Sequence, residues 1–335
     1  MKKNIKRKSG EAQSWMQIVQ KYNKPEALRS WWQVINSVVP YVGLWFLMYY
    51  SLSISYWLTL LLSVLAAGFL VRIFIIFHDC GHGSFFKSPL LSRIVGIPLG
   101  ILVFTPYHKW HHDHLIHHQT VGNLDKRGVG DVKTLTVEEY QKMSKAKQLW
   151  YRIYRHPIIL LIIGPFVLFT ILLRFPKTTR SKKEKLYTHL TSVAIAGIVL
   201  GLSFWIGLVP YLLIQLPILY IATVHGVWLF YVQHQYEDVR WERSGQWDYK
   251  TIALEGSSFL KLPKVLQWFT GNIGFHHIHH LSPRIPNYKL EKCYKENEAF
   301  HVEKPLTFFT ALKSLKFRLW DEKNQRLVSF RSVKA

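Results

Sequence analysis

Cysteine is scarce in this chain: Cys80 and Cys293 are the only two in 335 residues. No disulfide framework can be built from them, and reduced thiols facing the cytosol are the expected state. Acid is scarce too, with 20 Asp and Glu against 43 Lys and Arg, a formal charge of +23. Most telling is where charge of either sign is missing. No Asp, Glu, Lys or Arg lies between Arg29 and Arg72, or between Lys185 and Glu237. Soluble helices rarely lack charge over such lengths. A membrane span needs roughly 20 apolar residues, so each stretch has room for two.

The expectation is therefore an all-α integral membrane protein with two helical hairpins. Spans are expected at Val34 to Tyr50 and Trp57 to Phe77, then at Leu190 to Gly207 and Leu212 to Val232. The basic runs MKKNIKRKSG and RFPKTTRSKKEK precede the two hairpins. Lys and Arg collect on the cytoplasmic side of spans, and the hairpin tips near Ser53 and Val209 carry no charge. Both hairpins should thus enter from the cytosol and return to it. The basic excess then belongs to a membrane surface, with no call for nucleic acid. The first long apolar run starts beyond residue 33, so no cleavable signal peptide is expected.

Three regions divide the chain: a basic, partly helical surface segment (1–30), a membrane domain (31–294) and a cytoplasmic tail (295–335). Leu90 to Tyr107 contains Arg93, prolines and glycines, and is read as interfacial or re-entrant. Pro157 to Leu173 is apolar enough to cross. One crossing there would put the next basic run outside, and Gly164–Pro165 interrupts the helix. It is read as dipping in and returning. The charged C-terminal hundred residues are expected to form a cap of short helices, some amphipathic.

What the chain has in excess is histidine. HDCGH supplies His78 and His82 where the second span ends. HKWHHDHLIHH holds six histidines, with H-x-x-H-H occurring as His108, His111, His112 and as His114, His117, His118. HHIHH supplies His276, His277, His279 and His280. Imidazoles at i, i+3 and i+4 share a helix face and can meet a metal. Eight or so suit two transition-metal ions, and the ligand type does not choose among iron, zinc and copper. A metal transporter or sensor fits less well, because the hairpins contain no carboxylate to line an ion path. His225, alone deep in a hairpin, is expected to be buried and hydrogen-bonded.

On HDCGHGSFF, HLIHHQTVGNLDKRGVGD and GNIGFHHIHHLSPRIPNY the chain resembles the membrane fatty acid desaturase family. The resemblance runs from about Trp31 to Tyr294. It is nearest to Bacillus-type acyl-lipid Δ5 members and to cyanobacterial and plant Δ12 members. It implies two non-haem irons held by His78, His82, His114, His117, His118, His276, His279 and His280, with His234 of YVQHQYED as a further ligand. It implies an acyl-lipid substrate and O2. With no haem-binding HPGG segment, it also implies a separate electron donor of ferredoxin or flavodoxin type. Hydroxylases and ketolases of the superfamily share the histidine pattern.

If the long run is helical, His111, His114, His117 and His118 fall within an arc of about 120°. The family register selects the second copy. His108 and His112 are then bystanders, and His111 shares the ligand face without an assigned role. Asp79, Asp113, Asp125, Asp131 and Glu237 are candidates to orient the ligands. Phe85, Phe86, Trp110 and Phe275 are expected to pack around them.

Overall fold

The computed structural model describes residues 11–175 and 181–333, with backbone only for 11–14. The first basic run and the middle of the second lie outside the described residues. Helix α1 (Glu11–Gln20) leads into α2 (Ala27–Ser51) and α3 (Tyr56–His82). Helices α4 (Pro89–Leu102) and α5 (Tyr107–Thr120) follow, bent 100° from one another. Strand β1 (Leu135–Thr136), α6 (Val137–Gln141) and α7 (Lys145–Tyr154) come next. A π-helical turn (Ile158–Ile163) then runs into α8 (Gly164–Thr170). Two further long helices are α9 (Lys182–Ile206) and α10 (Leu208–His234). The cap adds α11 (Tyr249–Glu255), α12 (Lys264–Phe269), α13 (His276–Leu281), α14 (Asn287–Glu296) and α15 (Phe308–Lys313). Strands β2 (Leu319–Asp321) and β3 (Arg326–Val328) close the chain.

Among the described residues, α2, α3, α9 and α10 are long and apolar enough to cross a membrane. Their apolar side chains point outward as well as inward: Phe204 is 95% and Trp57 80% exposed. Such side chains fit lipid as their solvent. The inward faces meet in one core containing Met48, Ile73, Ile76, Phe77, Ile214, Ile218 and Val232. Four residues join α2 to α3, and Ser51 Oγ bonds Thr59 Oγ1 across that turn at 2.7 Å. Gly207 alone joins α9 to α10, at φ 93°, a left-handed value that disfavours side chains.

At 27 residues each, α3 and α10 are about 40 Å long, against an apolar bilayer core of about 30 Å. The surplus turns carry the histidines. Gly83, at φ 64°, ends α3 directly after His82, and its N–H donates to the Cys80 carbonyl at 3.2 Å. The expected break at Gly164–Pro165 is present. Pro165 has no N–H to continue the ladder, and the turn before it widens to π geometry.

Two expectations are corrected. The cap is not purely helical: β1 pairs in parallel with β2 (Leu135 with Leu319), and β2 pairs antiparallel with β3 (Leu319 with Val328). Its strands are too short for a period-two pattern to show in sequence. Residues beyond 295 pack into the cap, where Trp320 is fully buried and stacks on Trp241 at 5.7 Å. His225 is exposed, although its Nδ1 does reach the Ile221 carbonyl at 2.8 Å. The N-terminal segment is also anchored: Val19 and Tyr22 are buried with Phe275, Ile278 and Leu281.

Candidate metal centre

Nine imidazoles converge where α3 and α10 rise to meet α5 and α13. They sort into two groups, each with its ligand nitrogens within 4.8 Å of one another. His78, His82, His114, His118 and His279 form the first group. His117, His234, His276 and His280 form the second. Every expected ligand, including His234, is in one of the two.

The sorting follows helical geometry. Side chains at i and i+4 lie one above the other, whereas i+3 is rotated from i+4 by about 100°. In α5 the i, i+4 pair His114 and His118 goes to the first group, and His117 turns to the second. In α13 the arrangement is reciprocal: His276 and His280 go to the second group, and His279 to the first. The groups therefore interlock, and His118 stacks on His280 with ring centroids 4.1 Å apart.

The other histidines of the long run are elsewhere. His108 stacks on Tyr187 at 4.4 Å. His111 and His112 are half-buried and belong to neither group. His277 is fully buried, but its Nε2 reaches the Phe300 carbonyl at 3.0 Å. Of the five candidate orienting acids, two contact ligands. His78 Nδ1 meets Asp79 Oδ1 at 3.0 Å, and His117 Nδ1 meets Asp131 Oδ1. Asp113 pairs with Lys109 and Asp125 with Arg243, while Glu237 is exposed. Trp110 lies flat on His114 at 4.4 Å, whereas Phe85 packs on Phe86 and Phe275 on Phe259. Phe230 was not anticipated. It abuts both His117 and His234 at 5.1 Å, and its place in an apolar span gave no sign of this.

The donor set fits metal ions. Neighbouring Nε2 atoms face each other at 3.0–3.2 Å: His78 with His114, His114 with His118, His118 with His279, His117 with His234, and His234 with His276. At an imidazole–metal distance of about 2.1 Å, such spacing subtends roughly 90–100°. That is narrower than the roughly 109° of a tetrahedral site, so more than four donors can fit around an ion. His82 Nε2 is buried without a hydrogen-bond partner among the described residues. Burial, reinforced by neighbouring imidazoles, holds His276, His279 and His280 well below the ordinary histidine range. They are thus kept neutral, the form that binds metal. The Nδ1 atoms of His118, His276, His279 and His280 have no acceptor among the described residues. Ring packing holds those four side chains instead.

Membrane-length helices under a cap, with two adjacent all-histidine groups that could each hold a metal ion, define the class of protein. The family model described as "Fatty acid desaturase" matches residues 55–311. A "Fatty acid desaturase" of Bacillus subtilis is 51% identical over 93% of this chain and 89% of its own length. An "sn-1 oleoyl-lipid 12-desaturase" of Anabaena variabilis is 27% identical over 86% of this chain and 82% of its own. An "sn-1 acyl-lipid omega-3 desaturase (ferredoxin)" of Synechocystis is 27% identical over 66% of this chain and 62% of its own. The chain belongs to the fatty acid desaturase family, and its activity is that of an oxidoreductase acting on acyl chains.

Proposed function

We propose that the chain desaturates acyl chains of membrane lipids at a two-iron centre. His78, His82, His114, His118 and His279 would hold one iron, and His117, His234, His276 and His280 the other. The observation that carries this reading is the division of nine buried imidazoles into two adjacent groups. The overall change is –CH2–CH2– + O2 + 2 e⁻ + 2 H⁺ → –CH=CH– + 2 H2O. When bound, the irons supply the O2 chemistry that removes the two hydrogens.

The chain's own residues prepare the site. Asp79 and Asp131 accept the Nδ1–H of His78 and His117, which turns the Nε2 lone pairs inward. Trp110 and Phe230 wall the ligand rings, limiting water at the reacting centre. The ends of α3 and α10 meet in one centre, which supports two hairpins entering and leaving on the same side. Lys182, Lys183 and Lys185 begin α9 at the end away from its uncharged turn, and the charge rule makes that side cytosolic. The α4–α5 bend and the π-turn segment would lie in the interface. A separate carrier of ferredoxin or flavodoxin type would deliver electrons from the cytosol. The ferredoxin in the name of the Synechocystis relative favours this.

The test is lipid analysis of a desaturase-lacking bacterial host that expresses the chain. New cis double bonds in phospholipid acyl chains are expected, and double-bond mapping gives their position. His117→Ala and His279→Ala should abolish them. A hydroxylated or oxo product would move the chain to an oxygenase reading, and an unchanged lipid profile would remove the desaturase reading.

A further inference from the structure

Asp79 is almost completely buried, at 1% exposure, and among the described residues no Lys or Arg forms an ion pair with it. A buried carboxylate left so is costly unless hydrogen bonds and a nearby positive charge offset it. Its Oδ1 takes the His78 ring. Its Oδ2 accepts two hydrogen bonds from one residue: the Asn287 backbone N–H at 2.7 Å and the Asn287 Nδ2 at 2.9 Å. Asn287 is the first residue of α14, so the partial positive charge of that helix start also faces the carboxylate.

The orientation of the Asn287 amide follows from Asp79, because only its NH2 side can face a carboxylate. That leaves Asn287 Oδ1 to accept from Gln33 Nε2 at 2.7 Å, while Asn287 Nδ2 also donates to Gln33 Oε1 at 3.1 Å. Gln33 belongs to α2 and is itself buried at 6% exposure. A continuous buried path therefore runs Gln33–Asn287–Asp79–His78, joining a membrane-length helix and the segment after the last histidine box to a ligand of the first box. Among the described residues Asp131, behind the second group, has no such backing, and its side chain is 17% exposed.

We propose that Asn287, anchored by Gln33, is a positioning residue of the metal centre. It holds Asp79 in the orientation that keeps His78 Nε2 turned to the first metal. The inference rests on the two-iron reading above. Its consequence is that iron in the first group depends on an amide in α14 and one in α2, neither of which touches the ligands.

The experiment uses full-length protein in detergent, loaded anaerobically with ferrous iron. Iron per chain and the rate of iron release to a chelator are measured for the parent, Asn287→Leu, Asn287→Asp, Asp79→Asn and the Asp79→Asn/Asn287→Leu double variant. Asn287→Asp keeps the size, the backbone N–H and the bond from Gln33, and so serves if the leucine variant does not fold. Both Asn287 variants should weaken one of two irons by about 10- to 100-fold, the range for losing an outer partner of a metal-bound histidine. The double variant should lose no more iron than Asp79→Asn alone, because both act through His78. Asn272→Ala is the structural control. It removes a 3.0 Å bond to the Asn287 backbone carbonyl and should leave iron release unchanged. Parent-like iron release in both Asn287 variants would overturn the proposal, as would losses that add to that of Asp79→Asn. A parent protein that takes up no iron would instead overturn the metal-centre reading itself.

Discussion

HHIHH contains four histidines, all at 2% exposure or less, and the structure gives one of them a different task. His280 Nε2 lies 3.1 Å from His276 Nε2 inside the second group. His277 turns away to the Phe300 carbonyl. Four-ligand metal sites bind with roughly 10–16 kcal/mol, or about 3 kcal/mol per ligand. His280→Ala should therefore weaken the second-group iron by about a hundredfold, leaving three imidazoles there. His82→Ala should cost less, because four ligands remain in the first group. His277→Ala removes no ligand. It leaves the Phe300 carbonyl unpaired in the core, at about 1–3 kcal/mol of folding stability. The assay is iron content after dialysis against graded chelator, paired with thermal unfolding of the metal-free protein. Iron loss should follow His280 and stability loss should follow His277. Iron lost from His277→Ala but kept by His280→Ala would refute the division of ligands into groups.

The remaining predictions test the surroundings of the centre. Burial pushes His277 down to about 4, against an ordinary value near 6.5. As pH falls through this window the unfolded chain takes up a proton that the folded chain refuses, so folding stability drops. The loss from this residue approaches about 3 kcal/mol by pH 4, and thermal unfolding of metal-free protein should show part of it missing in His277→Ala. A Cβ at Gly96 would sit 2.4 Å from Tyr107 Cε2, whose hydroxyl donates to the Cys80 carbonyl between His78 and His82. Gly96→Ala should destabilise by about 1–3 kcal/mol and lower iron retention, measured by unfolding and metal analysis. Asp131→Asn should speed iron release from the second group by about 10-fold or more while sparing the first, as read by chelator kinetics.

How much of this was legible in the sequence depended on whether the signal was local. The absence of charge marked the four long helices, but hydropathy marks their apolar part only. α2 begins at Ala27, well before the expected Val34, and α3 runs past Phe77 to His82. The extra turn of α3 carries the first box. Helical spacing alone could not choose the candidate ligands, since His108 and His112 are also four apart and join neither group; the family resemblance chose the second copy. The ligands' assignment to one metal or the other was not legible, since it depends on how α5 and α13 face each other. His225 was misplaced for the opposite reason: α10 is apolar on all sides, so periodicity could not say which face meets lipid. Of five acids near the boxes in sequence, Asp79 and Asp131 reach ligands, and only tertiary structure separates them from Asp113, Asp125 and Glu237. The pairing of Leu135 with Leu319 joins residues far apart in the chain through two-residue contact, below what strand patterns reveal. Gln33 and Asn287 carried the least signal, as two ordinary amides 254 positions apart. A buried amide nevertheless needs a partner, and only the fold shows that Gln33 finds Asn287.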